Sequence, residues 1–158
     1  MWTRNLRNEQ GSSLVELALT LPLLLIILIG SAELGRIAYA SIEVTNAARA
    51  AVAFGSQNLG TASSPGGLTA MKTAAALDAS DLTSMGATLI TVPTYSCACD
   101  TGSGAPAATA CDGSACTGTI AHYVQATTSA TVNTMFHYPG IPTSFTLHGY
   151  AEMRVIED

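Results

Sequence analysis

At 158 residues and a formal net charge of −5, the chain has room for one modest domain and an anchor, but little for a second core. Only 11% of residues are charged, and beyond residue 11 four cations (Arg36, Arg49, Lys72 and Arg154) stand against ten acidic side chains. That balance gives no footing for nucleic acid, which needs clustered cations to displace its counterions.

Residues 1–11 form a short polar segment carrying Arg4 and Arg7. An uncharged Leu/Ile-dominated run follows, from Leu17 to Ala32. As a helix it rises roughly 24 Å, short of a ~30 Å hydrocarbon layer. Extending the span to about residues 14–35 closes the gap, but only by drawing Glu16 into the apolar layer. A carboxylate there costs about 2.5–3.5 kcal/mol, so Glu16 requires a partner or a purpose. Leu17, Pro22, Leu23, Ile26 and Ile29 are the residues expected to face lipid or neighbouring helices. Pro22 is tolerable as a kink. Arg4 and Arg7 place the amino end in the cytoplasm and the rest of the chain beyond the membrane.

Helical periodicity continues past the apolar run, with Ile37, Ala40, Val44, Ala47, Ala48, Ala51 and Phe54 on one side and Gly55 as a stop. Residues 12–58 are therefore expected to form one long helix, and 59–158 an extracytoplasmic α+β domain. Gly60–Gly67 reads as a linker, and a short second helix then carries Leu68, Met71, Ala75 and Leu82 along one side. Ala87–Tyr95 is β-branched with Pro93 at an edge or bulge, and 97–118 reads as a cysteine-rich loop. Tyr123–Phe136 alternates, with Val124, Ala126, Ala130, Val132 and Phe136 inward. His137-Tyr138-Pro139-Gly140 turns the chain into a last strand, with Phe145, Leu147, Gly149, Ala151, Met153 and Val155 on its apolar face. The expected fold is a long transmembrane helix, a short helix and a three-stranded antiparallel sheet packed on the helix. No repeat of 20–50 residues occurs.

Three readings of the amino end are open. It is a plain anchor; or it is a secretory signal cut after Ala40, where Ala38-Tyr39-Ala40 has small residues at the required spacing before Ser41; or it is a prepilin-type segment. The last is marked by the basic leader, by Gly11 closing it, by Glu16 fifth after the Gly11–Ser12 bond, and by the apolar run. It also gives Glu16 a partner, because a cut after Gly11 frees an amino group on Ser12 that a neighbouring chain's carboxylate can answer.

Cys97, Cys99, Cys111 and Cys116 lie within twenty residues. Four such ligands suit zinc in principle, but C-x-C with C-x4-C is poor ribbon spacing, and beyond the membrane disulfides are the expected state. Cys97–Cys99 is disfavoured because side chains two apart are awkward to join, which leaves each crossing to Cys111 or Cys116. His122 and His148 fall on the polar strand faces and His137 beside the turn, as exposed histidines. Asp100 and Asp112 lack the EF-hand spacing for Ca²⁺. No phosphate loop, nucleophile elbow or H-E-x-x-H is present. The chain reads as no enzyme, with no cofactor, metal or small-molecule substrate.

The segments G-S-S-L-V-E-L-A-L-T-L-P-L-L-L, A-E-L-G-R-I-A-Y-A and T-N-A-A-R-A-A-V resemble the TadE-like family, the pseudopilin components of bacterial tight-adherence (Flp) pilus systems. H-Y-V-Q-A-T, F-H-Y-P-G-I-P and the closing A-E-M-R-V resemble it as well. The resemblance implies a single-pass protein of the bacterial inner membrane, processed by prepilin peptidase between Gly11 and Ser12. It makes Glu16 the pilin-type glutamate and other pilin-like subunits, the assembly machinery and lipid the partners. A folded domain of about a hundred residues is large for a major Flp pilin, which favours a minor or accessory role. The competing class is a membrane-anchored or secreted small adhesin unrelated to pili.

Overall fold

The computed structural model describes residues 10–136 and 140–156, with Gln10 and Ser12 described by their backbone. The expectations for Arg4, Arg7, His137, Tyr138 and Pro139 lie outside the described residues. Two units divide the chain, one ending at Arg36 and the other beginning at Ile37.

Helix α1 runs from Gln10 to Gly55 with Pro22 inside it. In the first unit its apolar side chains point in every direction, and the large ones from Leu14 to Leu28 are exposed. A helix apolar all round has no aqueous face, so it belongs in lipid or among other helices. By length and composition α1 is long and apolar enough to cross a membrane. In the second unit the pattern changes to a single buried stripe, Ala40, Val44, Ala47, Ala48, Ala51 and Val52. Small residues dominate this stripe, which lets the sheet lie close to the helix backbone.

α2 (Leu59–Ser63), α3 (Pro65–Asp78) and α4 (Asp81–Ser84) follow. The stretch expected to be a linker thus contains a helical turn and a capped helix start. Asn58 accepts a hydrogen bond from the Thr61 amide, and Ser64 from that of Gly67, with Pro65 at the first position of α3. These caps satisfy otherwise orphaned amides, so Gly/Ser content alone misleads here. Met71 and Ala75 of α3 and Leu82 of α4 are buried against the α1 stripe and the sheet. A Cβ on Gly55 would lie 2.5 Å from the Met71 sulfur. The Met71 side chain lies over Gly55 and would have to shift to admit a Cβ there.

The sheet has four strands rather than three, β1 (Leu89–Asp100), β2 (Ala107–Thr109), β3 (Thr119–Asn133) and β4 (Ser144–Arg154). Their spatial order is β2-β1-β3-β4, and every pair is antiparallel. The extra strand β2 lies within the stretch expected to be a loop, opposite the end of β1, with Cys97 facing Thr109 and Cys99 facing Ala107. Three residues are too few to show alternation, so nothing local announces it. β1 also runs five residues past Tyr95, because β3 supplies backbone partners as far as Asp100 opposite Thr119.

The inward row of β3 is Val124, Ala126, Thr128, Ala130 and Val132, all buried. Opposite them on β4 lie Met153, Ala151, Gly149, Leu147 and Phe145. Thr128 is the polar member, and its hydroxyl donates to the Val44 carbonyl of α1 at 2.7 Å. Two expectations change. β3 ends at Asn133, where Thr134 bonds back to the Thr143 carbonyl, so Phe136 lies beyond the strand and is exposed. His122 is on the inward row, since its parity is that of Val124, and it is half-buried opposite Cys97. His148 is exposed on the outer face, opposite Ser129.

Candidate functional site

The residues singled out by sequence fall into two groups, at the start of α1 and around the four cysteines. Gly11 and Ser12 occupy the first turn of α1, and Glu16 lies one turn beyond Ser12. Gly11 is exposed, and a Cβ there would meet nothing within 4 Å. Leu17, Pro22, Leu23 and Ile26 are exposed, and Ile29 is half-buried. The first unit also holds a buried carboxylate, Glu33, that the sequence analysis did not single out. Glu33 accepts from the Arg36 guanidinium at 3.0 Å, and both side chains are largely buried.

The cysteines are joined Cys97–Cys111 and Cys99–Cys116, with Cα separations of 5.2 and 5.5 Å. Both bonds leave the end of β1 and hold the segment that carries β2. Cys97 is 4% exposed, whereas Cys111 is exposed. Asp100 accepts from the Gly102 amide, and Asp112 accepts from the amide and hydroxyl of Ser114. These bonds hold the Asp112 carboxyl below its ordinary range, the Ser114 backbone bond contributing most. Both carboxylates therefore act as turn formers within the loop.

The inward placement of His122 creates a contact that sequence reading missed. Its Nδ1 lies 2.6 Å from the Tyr95 hydroxyl and 3.2 Å from the Cys97 sulfur. The Tyr95 and His122 rings stack with centroids 5.8 Å apart. The available signal was the even spacing of His122 and Val124 within one alternating strand. Among the described residues, no group of three or more His, Cys, Asp or Glu side chains is placed to hold a metal.

A second polar contact ties the helix to the small helices of the same unit. The Tyr39 hydroxyl donates to Asp81 at 2.9 Å. This bond, with desolvation and the charges of Asp81 and Glu43, pushes the Tyr39 pKa up to about 12. The neutral phenol is the form the fold favours, so the contribution is fully present below pH 10. It is lost as pH rises from about 10, the unfolded value, through about 12. Ultraviolet difference titration is expected to show Tyr39 ionising near pH 12, beside Tyr150, which its bond to Glu152 also raises, and Asp81→Asn is expected to lower the late amplitude by one tyrosine. An unchanged late amplitude in this variant would assign the Tyr39 shift elsewhere.

No curated protein and no solved structure matches the chain. The family model described as TadE-like protein matches residues 11–53. The match starts at Gly11, takes in Glu16 and the apolar run, and ends two residues before the helix does. Over residues 11–53 the chain is similar to the TadE-like family.

Proposed function

We propose that the protein is a minor, pilin-like component of a bacterial tight-adherence (Flp) pilus system, made as a precursor and processed by prepilin peptidase between Gly11 and Ser12. The observation that carries this reading is the family match over 11–53, with Gly11 at its first residue and an all-round apolar helix behind Glu16. The basic leader keeps the amino end in the cytoplasm, and the sheet domain lies across the inner membrane. Cleavage requires the helix to open around the Gly11–Ser12 bond. The new Ser12 ammonium and the Glu16 carboxylate then lie one turn apart on each helix, so neighbouring chains shifted by one turn pair them within lipid. That pairing offsets the insertion cost of Glu16 and sets the register between subunits. The apolar side chains around Leu17, Leu23 and Ile26 supply the remaining helix contacts.

The competing reading, a cut after Ala40, meets a physical objection. The bond lies within α1, Ala40 is buried in the core, and Tyr39 is bonded to Asp81. Removing residues 1–40 would strip these contacts from the folded domain.

Mass measurement of the mature amino terminus tests the reading, and a chain beginning at Ser12 is the expected result. A start at Ser41, or an intact leader in cells with active prepilin peptidase, would overturn it. Gly11→Lys is expected to abolish the cut. Glu16→Ala is expected to leave the cut intact and to lower recovery of the protein with sheared pili at least tenfold.

A further inference from the structure

We propose that Cys111 is a thiol-exchange site, and that Cys97–Cys111 is the disulfide opened first by an incoming thiolate, with His122 stabilising the departing sulfur. Three observations converge. The two sulfurs of this bond differ sharply in access, since Cys97 is buried at 4% exposure while Cys111 is exposed. The buried sulfur has a ring nitrogen beside it, His122 Nδ1 at 3.2 Å. The ring is held in place by stacking on Tyr95, whose hydroxyl lies 2.6 Å from the same nitrogen.

Exchange proceeds by attack of a thiolate on one sulfur of the bond and departure of the other as a thiolate. Its rate depends on which sulfur can be reached and on how well the leaving thiolate is stabilised. Here both requirements select the same direction. An external thiolate reaches Cys111, the new sulfur–sulfur bond forms there, and the Cys97–Cys111 bond breaks with its electron pair going to Cys97. In the tautomer with hydrogen on Nδ1, that one hydrogen faces both the Tyr95 oxygen and the Cys97 sulfur, and the charge gathering on Cys97 draws it to the sulfur, a charge-assisted bond stronger than the one to the neutral disulfide. The product is a mixed disulfide on Cys111 and a Cys97 thiolate. If the attacker is a dithiol, its second thiolate then attacks its own sulfur in the mixed disulfide. That step releases Cys111 as a thiolate and leaves the attacker oxidised, so two electrons pass to the protein. Attack in the opposite sense would need entry to the buried Cys97 and would expel an exposed Cys111 thiolate without this donor.

Cys99–Cys116 has a different setting. Both residues are half-buried, and the sulfur beside His122 is that of Cys97. It keeps the loop tied to β1 while the first bond is open, so exchange at Cys111 leaves the sheet in place. The exposed loop then carries a covalent attachment point for thiol-bearing partners.

The test uses the full chain in detergent, exposed to reduced glutathione for graded times, acid-quenched, alkylated and fragmented by mass spectrometry. The first product is expected to carry glutathione on Cys111, alkyl on Cys97 and an intact Cys99–Cys116 bond. First adducts on Cys97, or earlier opening of Cys99–Cys116, would overturn the proposal, and this readout needs no variant. His122→Gln, with its circular dichroism matched to the native chain, is expected to form the Cys111 adduct about tenfold more slowly. An unchanged rate in that folded variant would remove His122 from the step.

Discussion

Replacing Gly149 with valine is expected to destabilise the sheet domain by about 3 kcal/mol and to lower its melting temperature by roughly 10 °C. Gly149 is buried on β4, directly opposite Thr128 of β3. A Cβ built there would lie 2.6 Å from the Val44 carbonyl oxygen, 2.6 Å from the Thr128 hydroxyl and 2.9 Å from the Thr45 Cα. Two of these neighbours are helix backbone, so relief requires α1 to move as a whole rather than one side chain to rotate. Any such movement also pulls the Val44 carbonyl away from the buried Thr128 hydroxyl. Gly30→Ala is the matched control, because a Cβ at Gly30 meets nothing within 4 Å. Thermal unfolding of the full chain in detergent, followed by circular dichroism, separates the two. Equal melting temperatures for native and Gly149→Val would mean that α1 is not seated on β3 and β4 at this point.

Removing both disulfides, by serine at Cys97, Cys99, Cys111 and Cys116, is expected to cost about 4 kcal/mol. The bonded residues are separated by 14 and 17 positions, and a single ring of about that size contributes roughly 3 kcal/mol in the chain-entropy account. The two rings overlap, since Cys99 lies inside the first and Cys111 inside the second, so closing one already shortens the other. Their contributions therefore fall short of additive. β2 pairs only through the three positions next to Cys97 and Cys99, and it is expected to lose protection from amide exchange before β3 does. Denaturant midpoints for the native and four-serine chains check the magnitude. Coincident midpoints would show that β2 and its loop are held by the sheet without covalent help.

The first 55 residues are the part of this protein most legible in its sequence. Their two environments differ in composition, Leu and Ile all round before residue 33 and an alanine stripe after it, and the structure keeps both patterns within one helix. The alternation of β3 and β4 was equally plain, because two long strands with one buried face repeat the same parity many times. The Cys-rich stretch was less legible, since short strands and capped turns carry little periodic signal. β2 has three residues, and α2 has five drawn from Gly, Thr, Ala, Ser and Leu. Thr128 sits in parity with the apolar row, but its burial depends on the Val44 carbonyl arriving opposite it.

Composition and local periodicity were enough to specify an apolar helix long enough to cross a membrane, a helix with one buried stripe, a hairpin of two long strands, and a glutamate five residues after Gly11. These properties are set by residues within a few positions of one another. The cysteine pairing, the contact of His122 with Tyr95 and Cys97, and the need for glycine at 149 are of another kind. The cysteine pairing depends on β2 folding back on β1, between residues 14 and 17 positions apart, and the other two on the register of β1 on β3 and of α1 on β4, between residues 25 to 105 positions apart. Such registers are selected by the packing of the whole inward face, where a slip of one residue would turn every buried side chain to solvent.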